Sequence, residues 1–321
     1  MSGQAEAMQA DIDWLNARQA HFVAVACPAC DSDQPEALYQ KYGMQHLRCG
    51  ACATQYVSPR PTAPMLGEFY ANSSNYAYWA EHIFPKSREA RRQEIFAPRA
   101  ELVRQLVEER SLGAGVLVEV GAAHGLFCEE IAKLNLFDRI VGIEPTPDLA
   151  DECRKLGIET IEAPVETVEL ELNADVVASF EVIEHLYAPA DFLRWCFALL
   201  KPGGHVLLTC PNIQGFETML LKRASGSVDH EHLNLMHPRS LASLAVRCGF
   251  EAPHVTTPGR LDVEIVRTAL TSDEILIDSL PEVIRLLVGN HNPAVIDGLQ
   301  DVIRLAGLSS NMMLVARRPL A

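Results

Sequence analysis

Residues 117–145, LVEVGAAHGLFCEEIAKLNLFDRIVGIEP, constrain the fold more than any other stretch of this 321-residue chain. An apolar run, Val116–Val120, breaks into the turn Gly121-Ala122-Ala123-His124-Gly125. A helical pattern follows, and a second apolar run, Ile140–Ile143, ends in Glu144 and Pro145. Glycine admits the positive φ that a sharp turn demands and lets the backbone approach a ligand closely. An acid at the end of the second strand can accept hydrogen bonds from two ribose hydroxyls. Strand, glycine turn, helix, strand, acid is the layout of a nucleotide-type cofactor site.

The spacing distinguishes the cofactor. A dinucleotide fingerprint needs G-x-G-x-x-G. Here the pattern is Glu119-x-Gly121-x-x-x-Gly125, with Ala123 where a middle glycine would stand. That pattern resembles motif I of class I S-adenosylmethionine (SAM) methyltransferases, E/D-x-G-x-G-x-G. The resemblance implies that Glu119, Gly121, Ala122, Ala123 and Gly125 border the cofactor, with Glu144 and Pro145 at its ribose. Taken alone, the turn is equally compatible with a structural βα junction in another α/β protein. The position of Glu144, 23 residues after Gly121 (144 − 121), matches the usual offset between the two strands and favours a cofactor site.

Near the N-terminus, Cys27-Pro-Ala-Cys30 and Cys49-Gly-Ala-Cys52 form C-x2-C-x18-C-x2-C. Two such knuckles supply four soft thiolates in tetrahedral geometry, the donor set of a closed structural zinc site. A closed site has no open position for water, so this metal would stabilise the fold rather than catalyse. The alternative is a set of reduced or redox-active thiols, since C-x-x-C pairs also serve as redox sites. Residues 38–47 suggest a hairpin between the knuckles. The prolines of Val57-Ser-Pro-Arg-Pro61 then make an extended linker. The rings Phe69, Tyr70, Tyr76, Tyr78 and Trp79 are expected mostly to pack the ribbon onto the catalytic domain, with one or two at the site. Lys86–Arg110 reads as a charged amphipathic helix. Its Arg88, Arg91 and Arg92 form either a solvated face or a phosphate receptor.

The strand and helix patterns continue alternately. Asp175–Phe180 reads as a strand, Ala190–Leu200 as a helix closed by Lys201-Pro-Gly-Gly204, and His205–Thr209 as a strand ending in Cys210-Pro-Asn212. Such alternation specifies a mostly parallel sheet covered on both faces. Ligands bind at the carboxyl ends of its strands. Glu119, Gly121, Glu144, Glu181, His185 and Asn212 would all lie at that edge.

The block DVVASFEVIEHLYAPADFLRWCFALLKPGGHVLLTCPN is similar to the ubiquinone-pathway type of class I SAM methyltransferase, whose motifs run D-x-V-x-x-x-E-V-L-E-H, L-K-P-G-G and T-P-N. The preceding ribbon, with V-x-P-R-P and F-Y motifs, resembles methyltransferases among sugar- and polysaccharide-tailoring enzymes. The resemblance covers roughly residues 25–260 and the last strand. It implies a Rossmann-like α/β sheet with an antiparallel final strand at Asn311–Arg317. It further implies SAM as methyl donor, Phe180 and Glu181 beside it, and Glu166 at its adenine. The implied organisation is a helical segment at 1–24, a zinc ribbon at 25–60, a linker and helix at 61–112, and the methyltransferase domain at 113–321. A helical insertion at about 260–308, including Ser272–Ile277 and Pro281–Leu287, would act as a lid or a homodimer contact.

Glu181, Glu184 and His185 stand at i, i+3 and i+4, so one helical turn would align them. Two carboxylates and an imidazole suit Mg²⁺, Mn²⁺ or Fe²⁺. His230 and His232, in Asp229-His-Glu-His232, are candidate further ligands. The E-x-x-E-H plus distant His arrangement resembles that of small-RNA 2′-O-methyltransferases, which implies a cation at the accepting hydroxyl. Two other readings stay open. In one, His185 or His230 is a metal-free general base with Glu181 and Glu184 binding substrate hydroxyls. In the other, Glu184 and His185 merely cap a helix.

The formal charge is −15, from 42 acids and 27 bases. That argues against general nucleic-acid binding and against docking on anionic membranes. The N-terminus lacks a basic-then-apolar signal and no apolar run reaches membrane-span length, so a cytoplasmic protein is expected. The nine cysteines agree, as four metal ligands and five reduced thiols. The favoured function is methylation of a hydroxyl on a small molecule, foremost a sugar, nucleotide-sugar or glycan precursor. Alternatives are a phenol or quinone precursor, C- or N-methylation, and an inactive SAM fold carrying a zinc-ribbon interaction module.

Overall fold

The computed structural model describes residues 3–110, 115–271 and 280–320. The segment Ser272–Ile277 lies outside them. The chain opens with helix α1 (Gly3–Asn16) and the ribbon strands β1 (Pro35–Lys41), β2 (Met44–Cys49) and β3 (Gln55–Val57). Tyr42 and Gly43, both at positive φ, make the turn between β1 and β2, so the expected hairpin forms. Helices α2 (Ala63–Asn72), α3 (Ser74–Tyr78), α4 (Phe84–Arg91) and α5 (Ala97–Arg110) follow. The predicted helix at 86–110 is therefore part of a longer one. It starts at Ser74 and is interrupted by π turns at Trp79–Ile83 and Arg92–Phe96. Its start is anchored by the buried carboxylate of Asp11, which accepts from Ser73 Oγ (2.5 Å), Ser74 N (2.8 Å) and Asn75 N (3.1 Å). An anion is favourable there because the first amides of a helix have no intrahelical acceptor.

The second part alternates β4 (Val116–Val120), α6 (Leu126–Lys133), β5 (Arg139–Ile143), α7 (Pro147–Lys155), β6 (Glu159–Ile161), β7 (Ala174–Phe180), α8 (Pro189–Leu199) and β8 (Leu200–Pro211). It continues through α9 (Phe216–Leu221), β9 (Asn234–Leu235), α10 (Pro238–Arg247), β10 (Glu251–Thr256), α11 (Asp262–Thr271), α12 (Glu282–Val288), α13 (Pro293–Leu305) and β11 (Asn311–Arg317). The seven-stranded sheet has the order β10-β11-β8-β7-β4-β5-β6. Strands β4 to β8 run parallel, and β11 inserts antiparallel between β8 and β10. Every residue of β7 is buried, as a central strand covered on both faces requires. The order switches at β4, whose carboxyl end opens onto the crevice between β5 and β7.

The ribbon is stitched into this framework. β9 pairs antiparallel with β3 and completes a four-stranded sheet, β1-β2-β3-β9. Arg247, on α10, donates to Ala29 O (2.5 Å) and pairs with Asp31 beside the first cysteine knuckle. No helix among the described residues is long and apolar enough to cross a membrane.

Candidate cofactor and cation sites

The loop after β4 is shaped by three positive φ values: Gly121 at +78°, Ala123 at +47° and Gly125 at +69°. A Cβ on Gly121 would stand 2.5 Å from Val182 Cγ2, and one on Gly125 would stand 3.1 Å from Cys153 Sγ. Gly121 has no room for a side chain, and at Gly125 the left-handed backbone and the tight Cys153 contact both favour glycine. Ala123 accepts the left-handed conformation because its amide donates to Glu144 Oε2 (2.8 Å) and its carbonyl accepts from Cys153 Sγ (3.0 Å). Glu144 Oε1 also accepts from Thr146 N (2.9 Å). The carboxylate that closes β5 therefore braces the loop, and both its oxygens retain lone pairs for further donors. Burial raises its pKa, against the stabilising amides. Glu119 lies beneath, accepting from Cys128 Sγ (3.0 Å), and burial pushes its pKa up to about 8.

At the end of β7, Phe180 packs against Phe127 (centroids 4.8 Å apart) and under the Arg99 guanidinium (4.3 Å). Glu181 adopts φ +56° and accepts from Thr209 Oγ1 (2.5 Å) and Asn311 Nδ2 (3.0 Å), with Arg99 3.7 Å away. Arg99, from α5, carries no local sequence signal that sets it apart from the other charged residues of its helix. Only the fold brings it to the acids at this edge. Asn212 lies at the edge too, but its carboxamide is used by Ser309 O (2.9 Å) and Gln214 N (3.0 Å). Glu166 is exposed in a short 3-10 turn.

The expected helical turn over 181–185 does not form. The segment after Phe180 is an irregular turn, because the left-handed Glu181 ends the strand by bonding across to β8 and β11. Glu181 thereby leaves the candidate cation ligands, and His230 does not join them. His230 is buried edge-on to Phe69 and Tyr42, its Nε2 3.3 Å from Glu231 Oε1. Glu184, His185 and His232 instead bring ligand atoms within 4.8 Å of one another. The selection between the two histidines is local: Asp229 Oδ1 accepts from the amides of Glu231 (2.8 Å) and His232 (2.7 Å), fixing that turn. His232 Nδ1 lies 2.8 Å from Ser227 O, a group that only accepts, so Nδ1 carries a proton and Nε2 is the nitrogen that offers a lone pair when the ring is neutral. His185 Nδ1 contacts Tyr70 Oη at 3.1 Å. Both carboxylate oxygens of Glu184 are buried without a hydrogen-bond partner. Neither Glu184 nor His185 caps a helix, because no helix begins there and the next starts at Pro189.

In the ribbon, Cys27 Sγ and Cys52 Sγ are 3.5 Å apart, and Cys30 Sγ and Cys49 Sγ are 3.6 Å apart. A tetrahedral zinc with Zn–S near 2.3 Å places its sulfurs about 3.8 Å apart, so the set fits that ion. The two knuckles share a design: Asp31 N donates to Cys27 O and Ala53 N to Cys49 O, both at 2.8 Å, with Asp31 and Ala53 at positive φ. Of the three arginines that form the candidate phosphate receptor, Arg92 pairs with Glu129 (2.7 Å) and Glu130, and Arg88 lies 3.5 Å from Glu152. Arg91 lies over the Phe84 and Trp79 rings. The first two serve to dock the long helix on α6 and α7.

A seven-stranded sheet with one inserted antiparallel strand, and a glycine loop braced by an acid on the neighbouring strand, define the class I SAM-dependent methyltransferase fold. A family profile described as a methyltransferase domain matches residues 88–255, more than half the chain, and the chain belongs to that family. Among its relatives, the ubiquinone biosynthesis O-methyltransferase of Vibrio parahaemolyticus is 31% identical over 133 residues, covering 36% of this chain and 55% of that protein. The enzyme of the same name from Xanthomonas oryzae pv. oryzae is 35% identical over 109 residues, covering 31% and 44%. The chain thus spans about half the length of these curated relatives. A solved chain from the complex between the Haloferax volcanii Trm112 methyltransferase activator and a methyltransferase superposes with a TM-score of 0.51 at 13% identity. It covers 76% of this chain and 96% of its own length, a likeness of fold.

Proposed function

We propose that the chain transfers a methyl group to a hydroxyl of a small molecule, with a sugar, nucleotide-sugar or glycan precursor as the leading acceptor class. Bound SAM supplies an electrophilic methyl on a sulfonium. The chain's part is to orient donor and acceptor and to handle the hydroxyl proton. In this reading Gly121, Ala122, Ala123 and Gly125 border the cofactor and Glu144 takes the ribose hydroxyls, near Pro145. Phe180 and Glu181 stand beside it, and Glu166 contributes from its loop. The four-cysteine cluster holds a structural zinc.

The observation that carries the acceptor site is the orphaned Glu184 carboxylate beside His185 and His232. A buried carboxylate without a partner is costly, and a divalent cation shared with two imidazoles would remove that cost. Such an ion would lower the pKa of an accepting hydroxyl. A phenolic or quinone-precursor acceptor is the second reading. It is favoured by the relatives named as ubiquinone biosynthesis O-methyltransferases and by the Phe69–Tyr70–Tyr76 ring cluster that reaches His185. The test is incubation with methyl-labelled SAM, Mn²⁺ and two acceptor panels, nucleotide-sugars and catechols, read by mass spectrometry. Label in the first panel supports the leading reading and label in the second supports its rival. Label in neither, from protein that binds SAM, refutes both.

A further inference from the structure

We propose that Arg60 is a positioning residue that sets the geometry of the Glu184–His185–His232 cluster, an inference that rests on that cluster being the acceptor site. Arg60 is the central basic residue of the Val57-Ser-Pro-Arg-Pro61 linker and is fully buried. All its hydrogen bonds go to neutral acceptors. Nε donates to Val57 O (2.9 Å), Nη1 to Tyr187 O (3.1 Å) and Asn234 Oδ1 (2.9 Å), and Nη2 to Leu233 O (3.4 Å). These acceptors belong to three separate pieces of chain: the ribbon linker, the turn that carries Glu184 and His185, and the strand that follows His232.

Asn234 extends the clamp. Its Nδ2 donates to Leu186 O (2.7 Å) and lies 3.3 Å from both Ile183 O and Glu184 O. The amides of Leu233 and Asn234 also donate to Glu184 O, at 2.8 and 3.0 Å. The carbonyls of 183, 184, 186 and 187 are thus all engaged by this one arginine–asparagine unit and the adjoining strand. An irregular turn has no helical ladder to fix its backbone, so these bonds hold Glu184 and His185 opposite His232. The job needs a planar fork with five N–H donors. A lysine at this position, with one ammonium on a flexible stem, cannot span the four acceptors. Burial lowers the Arg60 pKa to about 10, so the fork stays protonated at neutral pH.

The test uses the full chain with ¹⁵N-labelled histidine, in Arg60→Lys and, as control, Arg247→Ala, which cuts a different link between ribbon and domain. The His185 and His232 ring signals, assigned through His→Asn replacements, report cluster geometry with no metal present. Mn²⁺ and S-adenosylhomocysteine affinities are measured by calorimetry. Arg60→Lys should move both ring signals and weaken Mn²⁺ binding at least tenfold. Cofactor affinity should stay within twofold, and Arg247→Ala should change none of the three. Unmoved ring signals in Arg60→Lys overturn the proposal. So does a parallel loss of cofactor binding, or the same disturbance in Arg247→Ala. If the wild type binds no Mn²⁺, the cation reading fails by itself and the ring signals still decide the role of Arg60. If Arg60→Lys does not fold, Asn234→Asp takes its place. It keeps an acceptor for Arg60 but removes the Nδ2 bonds to the carbonyls of 183, 184 and 186, leaving the two backbone amides on Glu184 O, and unmoved rings there overturn the proposal equally.

Discussion

Replacing Gly121 by alanine tests the cofactor loop at its tightest point. Two costs follow from the structure. At φ +78° an alanine is forced into the left-handed region, about 1–2 kcal/mol. Its Cβ would also stand 2.5 Å from Val182 Cγ2, well inside contact distance. Val182 is β-branched and cannot rotate away freely, so crowding adds about 1–3 kcal/mol. Gly121→Ala should therefore lose about 2–5 kcal/mol in urea unfolding, the sum of the two ranges, and bind S-adenosylhomocysteine more weakly. The two costs separate experimentally. Val182→Ala removes the opposing methyl, so the double variant should recover the crowding share, a favourable coupling of about 1–3 kcal/mol, while the backbone share remains. A Gly121→Ala variant as stable as the parent, or a coupling of zero, would refute this account of the loop.

Glu119 yields a pH prediction. Burial lifts its folded pKa to about 8, above the unfolded value near 4.5, so between these limits the folded state holds a proton that the unfolded state has lost. Stability from this group is present at low pH and falls as pH rises through that window, by about 1 kcal/mol per unit. Glu119→Gln should flatten the slope between pH 5.5 and 7.5 in urea titrations; an unchanged slope means that Glu119 ionises normally. In the ribbon, purified protein should carry one zinc per chain by elemental analysis. Cys49→Ser should lose that zinc and lower the melting temperature, whereas full zinc occupancy in the variant would reject the four-thiolate site.

The sheet was legible because its strands are apolar runs bounded by glycine, proline and charge. The final strand, Asn311–Arg317, is found with the bounds read from the residues. The cysteine knuckles and the glycine turn were legible because local backbone geometry requires those residue types. The acceptor side was less so. The spacing of Glu181, Glu184 and His185 suits a helix, but tertiary bonds from Thr209 and Asn311 hold Glu181 in a left-handed conformation and no turn of helix forms. Nothing in Asp229-His-Glu-His232 shows which histidine faces Glu184, since an aspartate-centred turn decides it. Tyr70, Arg60 and Arg99 find their partners 115, 174 and 110 positions away, separations that no local pattern encodes.

The central claim is that the loop after β4 and the acid closing β5 cradle an adenosyl sulfonium. Calorimetric titration of S-adenosylhomocysteine into the wild type and Glu144→Ala tests it most directly, with a melting curve to verify that the variant is folded. The account predicts one site per chain in the wild type and none detectable in the folded variant. Equal affinity in both, or no binding by the wild type, would contradict it.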